Sequence, residues 1–479
     1  MDTRKRSIRI LMFPWLAHGH ISPFLELAKS LAKRNFVTYI CSSQVNLNSI
    51  SKNLSSKDSI SVKLVELHIP TTLLPPHYHT TNGLPPHLMS TLKRALDSSR
   101  PAFSTLLQTL KPDLVLYDFL HSWAPEEAES QNIPAMVFLS TGAAAMSFIM
   151  YHWFEPRLQK YPFPGIYFRE HEYANFCRLV KSSGSDTNDH LRFRDCVDLS
   201  HDLVLIKTFR ELEGQHVDFL SDLTRKRFVP VGPLVQEVGC DMENEGNDII
   251  EWLDGKDRRS TVFASFGSEY FLSANEIEEI AHGLELSGLN FIWVVRFPRG
   301  EEKIKIEEKL PDGFLGRVEG RGRVVEGWAQ QRRILSHPSV AGFLSHCGWS
   351  SVMEGLYYGV PIIAVPMHLD QPLNARLAEA VGFGEEVVRS REGNLDRGEV
   401  ARVVKKVVLG KSGEGLRRRV EELSEKMREK GEEEIDSLVS ELVAVVRRRE
   451  RSNLKSENSM KKLNVMMTEN REGMLSENT

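Results

Sequence analysis

His20 and Asp118 are the side chains whose type and position best suit moving a proton. His20 closes the segment Trp15-Leu16-Ala17-His18-Gly19-His20, after a first apolar run and before a helical pattern that opens at Ser22-Pro23. Asp118 lies near the end of the apolar segment DLVLYDF at 113–119. A neutral imidazole is a general base near neutral pH. A carboxylate on its other nitrogen fixes the tautomer and stabilises the imidazolium. Position alone is equally compatible with a packing or capping role for both residues, and spacing leaves His18 open as the base.

A second group of residues suits an anion. Val340 to Ser345 reads as a buried strand, His346-Cys347-Gly348 as a tight turn and Trp349 to Tyr358 as a helix. Unpaired amides at that helix's start, with the Ser351 hydroxyl, suit a diphosphate, and the helix dipole offsets its charge without a metal. Trp328 offers a face to a flat base. Glu354, inside the helix, offers a carboxylate to ribose hydroxyls, and Asp370 and Gln371 suit the hydroxyls of a sugar. Trp349 has a competing role as a core residue, with only its backbone serving a ligand.

These groups need elements to hold them. Ile8–Trp15, Phe36–Ser42, Ser61–Leu67, Asp113–Phe119 and Ala135–Leu139 read as strands, separated by helical patterns and by a Pro- and His-rich loop at Thr71–Pro86. Leu88–Leu110 reads as one helix. Ser22 followed by Pro23 predicts a helix start there. The scheme repeats after residue 260, with strands at Thr261–Phe266, Asn290–Arg296, Gly322–Glu326, Val340–Ser345 and Pro361–Val365. Strands alternating with helices imply an α/β fold with parallel sheets, whose ligands bind at the carboxyl ends of the strands. His20, Asp118 and the 346–348 turn all fall at such ends. The Pro- and Gly-bearing stretch 229–248, which turns acidic, is the linker candidate. The helices from Arg397 to Arg449 are dense in charge, and the polar residues after Glu450 read as disordered.

Composition narrows the function. The chain has 479 residues, 41% hydrophobic and 26% charged, which supplies more than one core. A net charge of −4 excludes binding driven by overall charge to nucleic acid or an anionic membrane. The five cysteines are scattered without a CxxC, against a disulfide scaffold or a zinc cluster. No GxGxxG follows a strand, and no GxxxxGK[ST], HExxH or DxD occurs, which argues against dinucleotide-dependent, P-loop and carboxylate-metal chemistries. The basic, apolar N-terminus is interrupted by Pro14 and reads as a first strand rather than a signal segment. No run reaches the ~18 apolar residues of a membrane helix. A reducing, cytoplasmic setting is expected.

From Trp328 to Gln371, 44 residues, the chain reads WAQQRRILSHPSVAGFLSHCGWSSVMEGLYYGVPIIAVPMHLDQ. This resembles the plant secondary-product glycosyltransferase signature of the family 1 UDP-glycosyltransferases, and the likeness extends from about Ile8 to Val446. It implies the GT-B fold, two Rossmann-like domains with parallel sheets facing a central cleft. Residues 1–240 would bind the acceptor and 241–430 the UDP-sugar. The helix at 431–450 would pack back on the first domain, and 451–479 would be a disordered tail. Carried over residue by residue, the likeness puts the catalytic base at His20, in Gly19-His20-Ile21-Ser22-Pro23, and its partner at Asp118. It puts Thr141 near the donor sugar and phosphate, and Ser268 on a phosphate. Trp328, Ala329 and Gln331 fall on uracil, and His346 and Ser351 on phosphate at the Gly348-Trp349-Ser350 helix start. Glu354 falls on ribose, and Asp370 and Gln371 on the sugar.

The segments at 79–88, 207–214 and 290–298, with SFGSEYF and IEEIAHGLELS, resemble branch-forming members that glucosylate crocetin glucosides and triterpenoid glycosides. The implied activity is inverting, metal-independent transfer of glucose from UDP-glucose to a sugar hydroxyl of a terpenoid, flavonoid or lignan glycoside. UDP-glucose is a co-substrate, no cofactor is implied, and a monomer is expected. Direct glucosylation of an aglycone is the alternative enzyme, and a non-catalytic nucleotide-sugar-binding protein the alternative of another class. Two residues depart from the signature: Gln330 stands where Pro is usual, and Ser350 where Asn is usual.

Overall fold

The structure is a computed structural model that describes residues 6–154, 160–181, 189–236, 247–297 and 305–476. The strands β1 (Ile8–Phe13), β2 (Phe36–Ser42), β3 (Val62–Glu66), β4 (Leu114–Tyr117), β5 (Ala135–Leu139), β6 (Leu203–Ile206) and β7 (Arg227–Pro230) form one sheet, ordered β3-β2-β1-β4-β5-β6-β7. A second sheet holds β8 (Thr261–Ser265), β9 (Asn290–Val295), β10 (Gly322–Glu326), β11 (Val340–Ser345), β12 (Ile362–Ala364) and β13 (Gly384–Glu386), ordered β10-β9-β8-β11-β12-β13. All pairings are parallel. Strands covered by helices on both faces are apolar throughout, which explains why β4, β5, β8 and β11 read as continuous hydrophobic runs.

Alternate residues of each strand serve opposite cores. On one face of the first sheet, Leu11, Phe13, Val115 and Tyr117 pack with Leu92, Phe103 and Leu107. On the other, Ile10, Met12, Leu114 and Leu116 pack with Phe24, Leu27 and Leu31 of the helix His18–Ala32. The last helix, Lys411–Ser476, adds Ile435, Leu438, Leu442 and Val445 to that second face. Earlier in the same helix, Val420, Leu423 and Met427 join a core built on the second sheet and on helices of the first half. That core sets Ala144, Ala145 and Ile149 of the helix Ala143–Phe154 against Trp349, Val352, Leu373 and Leu377.

Several elements differ from the sequence reading. The first helix starts at His18, not at Ser22: the amides of His20 and Ile21 both bond the Ala17 carbonyl, at 3.0 and 2.9 Å. Pro23 lies inside the helix, where its missing N–H forgoes only one bond, so His20 rides in the first turn. Leu88–Leu110 is two helices, Met89–Asp97 and Arg100–Leu110, parted at Ser98-Ser99 just before Pro101. Strands β6, β7 and β13 have three or four residues each, too short for a period to declare itself. Beyond Glu450 the chain stays helical to Ser476, where disorder was expected; residues 451–472 contain neither proline nor glycine to stop it. The expected boundary at 240 falls outside the described residues.

Between the sheets the chain passes Gly232, which adopts φ +77°; a Cβ there would stand 3.3 Å from the Gly431 carbonyl oxygen of the last helix. Among the described residues no helix is long and apolar enough to cross a membrane.

Candidate active site

In the first sheet β1 and β4 are neighbours, and β2 and β3 extend to one side while β5, β6 and β7 extend to the other. The order reverses between β1 and β4, which opens a crevice at their carboxyl ends. His20 follows β1 and Asp118 follows β4, so the crevice brings together two residues 98 positions apart. His20 Nδ1 lies 2.9 Å from Asp118 Oδ2. Asp118 is fully buried. Its Oδ2 also accepts the Trp15 N–H at 3.2 Å, and its Oδ1 accepts the Phe119 N–H at 2.8 Å. Two fixed amides therefore aim the carboxylate at Nδ1 and leave Nε2 as the basic nitrogen. Burial lowers the affinity of His20 for a proton, but the Asp118 charge and hydrogen bond, helped by Glu269 and Asp370, outweigh it, and the net shift is upward. His18 moves the opposite way, lowered by burial and by Arg296, and its ring meets Trp328 edge-on at 5.5 Å. Of the two histidines, His20 is the one that the structure pairs with a buried carboxylate.

The second sheet repeats the arrangement. Its β8 and β11 are neighbours at the point where the order reverses. The loop after β8 carries Gly267 and Ser268, and the turn after β11 carries His346, Cys347 and Gly348. Cys347 takes φ +64°, fully buried. The helix Trp349–Tyr357 starts at Gly348, and no described side chain caps it, which leaves its first amides for an anion. His346 Nδ1 is buried without a partner, and burial holds the imidazole neutral, with its pKa lowered to about 3. The ring is boxed in by glycine: a Cβ on Gly267 or on Gly348 would come within 2.5 Å of its Nε2.

The remaining expected residues gather around this helix, with different degrees of freedom. Gln331 Nε2 donates to Glu354 Oε2 at 2.6 Å and reaches Ser351 Oγ at 3.5 Å. Burial pushes the Glu354 carboxyl up, against the lowering effect of Gln331 and of the charges on Arg332 and Lys207. Trp328 is 63% exposed, with the Arg296 guanidinium 4.9 Å over its ring. Ala329 is half-buried, and its carbonyl accepts the Gln331 N–H at 2.8 Å. Ser268 is half-buried beside Gly267. Gln330 sits at φ −75°, a value proline would also hold, so the departure leaves the local backbone intact. Thr141 donates to Asp370 Oδ2 at 2.8 Å, and Asn374 Nδ2 donates to the same oxygen at 3.1 Å. Gln371 turns back: its Oε1 accepts the amides of Met367 and His368, both at 3.1 Å. Its side chain braces the 367–370 loop in this state. Trp349 is buried, and its indole N–H donates to the Lys207 carbonyl at 2.5 Å, so it joins the two halves rather than facing a ligand.

Three contributors carry no role in the sequence reading. Ser140 Oγ lies 3.2 Å from His20 Nδ1, and its chain neighbour Thr141 holds Asp370, so two consecutive residues connect the imidazole to that carboxylate. Glu213 receives the amides of Ala143 and Ala144 at 2.9 and 2.7 Å and fixes the turn that carries Thr141. Lys207 Nζ donates to Ser350 Oγ at 2.9 Å. Lys207 and Glu213 lie in KTFRELEG, a segment whose charged residues between apolar ones were the available signal. Thr81 of the 79–88 segment also crosses the cleft, donating to Glu269 Oε1 at 2.7 Å.

Comparison with known proteins bears on the family and the fold. A family model described as "UDP-glucoronosyl and UDP-glucosyl transferase" matches residues 227–453, and one described as "Glycosyltransferase, N-terminal domain" matches 6–236. UDP-glucosyltransferase 29 of Panax ginseng is 52% identical over 94% of this chain and 99% of its own length. Beta-D-glucosyl crocetin beta-1,6-glucosyltransferase of Gardenia jasminoides is 48% identical over 91% of this chain and 98% of its own. Among solved structures, a Glycyrrhiza uralensis UGT73P12 complexed with glycyrrhetinic acid 3-O-monoglucuronide superposes with a TM-score of 0.81, at 23% identity over 95% of this chain and 99% of its own. A Siraitia grosvenorii transferase in complex with UDP gives 0.73, at 25% identity over 91% and 100%.

Proposed function

This chain belongs to the UDP-glucoronosyl and UDP-glucosyl transferase family, and we propose that it transfers glucose from UDP-glucose to a sugar hydroxyl already present on a plant glycoside. It is a UDP-glycosyltransferase of GT-B fold. The glycoside acceptor is supported by the relative named for glucosyl crocetin. One observation carries the mechanism. His20 meets Ser140 and Asp370 meets Thr141, two consecutive residues, so the base stands two residues away from the carboxylate expected to hold the donor sugar.

In this reading the acceptor hydroxyl gives its proton to His20 Nε2 as its oxygen attacks the anomeric carbon. The bond from that carbon to the diphosphate oxygen breaks, and UDP leaves with the electron pair. Attack opposite the leaving group inverts the configuration and gives a β-linkage. Asp118 stays ionised and stabilises the imidazolium, and general-base assistance of this kind is worth ~10²–10⁴ in rate. UDP is held by the Trp349 helix start with Ser268, His346, Gly348, Ser350 and Ser351. Its base lies on Trp328, Ala329 and Gln331, and its ribose on Glu354. The sugar lies on Asp370 and, once the loop it braces has moved, Gln371. The neutral helix terminus provides for the diphosphate without a resident metal. Residues 1–240 serve the acceptor and 241–430 the donor, and 431–450 belong with the first unit. The protein acts as a cytoplasmic monomer.

A paired assay tests this reading. UDP-glucose is offered with an aglycone or with its monoglucoside, using wild type and His20→Ala. Transfer to the monoglucoside alone, lost in His20→Ala while UDP still binds, is the expected result. Preference for the aglycone refutes the acceptor class, and near-normal transfer by His20→Ala refutes the base.

A further inference from the structure

Lys207 is a buried cation that the mechanism above leaves unused. It directly follows β6, at the carboxyl end of the first sheet, and is only 2% exposed. Its main chain is held from both sides: the N–H donates to the Leu139 carbonyl at 2.9 Å, and the carbonyl accepts the Trp349 indole N–H. The side chain crosses to the second half and donates to Ser350 Oγ at 2.9 Å. That hydroxyl belongs to the first turn of the uncapped helix Trp349–Tyr357.

We propose that Lys207 binds the diphosphate of the donor, as an ammonium contributed by the N-terminal sheet to a site otherwise built from the C-terminal one. The proposal rests on the reading of the Trp349 helix start as the diphosphate site. An ammonium taken out of water needs an anion or a full set of acceptors. Lys207 has one neutral hydroxyl, and no described carboxylate forms an ion pair with it. Glu354 and Glu26 act on it from farther away, and burial still outweighs them, lowering its pKa to about 8. An arrangement of this kind is short of one negative charge in its resting state. The first-turn amides of the same helix want the same charge, and His346 Nδ1 is buried nearby without a partner. The anchoring through Ser350, rather than through the Asp370–Gln371 end of the site, assigns the ammonium to phosphate and not to the sugar.

The inference also gives Ser350 a role: its hydroxyl holds Nζ at the start of the helix.

Isothermal titration of the full chain with uridine and with UDP separates this from a structural role. Wild type should bind UDP far more tightly than uridine. Lys207→Met should weaken UDP roughly tenfold to a hundredfold, the range of one charge-assisted hydrogen bond, and leave uridine within about twofold. Lys207→Arg should recover part of the loss. Lys207→Gln, which keeps a polar group in the buried space, carries the same comparison if thermal unfolding shows the Met variant to be misfolded. Equal losses for uridine and UDP, or no loss for UDP, overturn the proposal. If wild type itself binds UDP no better than uridine, the diphosphate site fails. If wild type discriminates and the Lys207 variants discriminate equally, the Lys207 assignment alone fails.

Discussion

Replacing Asp118 by Asn exchanges one carboxylate oxygen for an NH₂ group, so its effect follows from the geometry. The carboxylate accepts three donors: the Phe119 N–H on Oδ1, and the Trp15 N–H and His20 Nδ1 on Oδ2. An amide has one acceptor oxygen. If that oxygen keeps Phe119, the new NH₂ group faces both the Trp15 amide and His20. His20 then accepts at Nδ1 and carries its proton on Nε2, the tautomer that cannot act as base. If the oxygen turns to His20, the Phe119 amide faces an NH₂ group, and a buried donor left unpaired costs ~1–3 kcal/mol. Either way the negative charge that stabilises the imidazolium is gone. The expected loss in kcat is ~10²–10⁴, or ~3–5 kcal/mol on the barrier, with UDP affinity unchanged. The rate should be followed by UDP release across pH. Asp118 raises the His20 pKa against burial, so in wild type kcat/KM climbs as His20 loses its proton. Without the carboxylate, burial is opposed only by more distant charges, and any residual activity should rise at lower pH than in wild type. A variant with kcat within about threefold of wild type and an unmoved acid limb would refute the dyad.

The glycine box around His346 predicts a graded pair. Gly348→Ala and Gly267→Ala each drive a methyl into the imidazole, and both should weaken UDP binding. Only Gly267 also sits at positive φ, so its variant should unfold with about 1–2 kcal/mol less stability than the other; equal melting temperatures and unchanged UDP titrations would contradict this. A second expectation concerns acid stability. His121 is buried against Phe13, its rings 3.9 Å apart, and burial holds its pKa at about 4. Its folded value lies below the unfolded ~6.5, so it favours the fold fully above that pH and loses that contribution as pH falls towards 4. Relative to wild type, His121→Asn should therefore gain about 2 kcal/mol between pH 7 and pH 5 in urea unfolding. Comparing the two proteins cancels groups of opposite sign such as Glu213, pushed up to about 7 by burial. A pH-independent difference would show that His121 titrates normally.

The His20–Asp118 pair and the Trp328–Gln371 segment were visible in the sequence because both lie where an apolar strand ends, and strand ends are marked by abrupt changes of residue type. What was hidden depends on contacts between distant residues. Thr141 and Asp370 meet across 229 positions, and Lys207 and Ser350 across 143. No local period records such meetings. The start of the first helix was misplaced because Ser22-Pro23 is a strong local signal, overruled by backbone bonds to Ala17. The bonds of Gln371 Oε1 to the amides of Met367 and His368 could not be read from the amide's suitability for sugar hydroxyls. The short strands β6 and β13 are held by pairing with their neighbours, which no local period records.

The last helix has a consequence for anyone who would recombine this enzyme with its relatives. It contributes Val420, Leu423 and Met427 to the core on the second sheet and Ile435, Leu438, Leu442 and Val445 to a core on the first, and Gly431, between the two sets, meets Gly232 where the chain first crosses. A graft that exchanges everything before the linker would leave the borrowed first half facing a foreign helix. Acceptor preference should therefore travel between relatives only as two pieces, the front of the chain and the far end of this helix, cut on either side of the glycine pair.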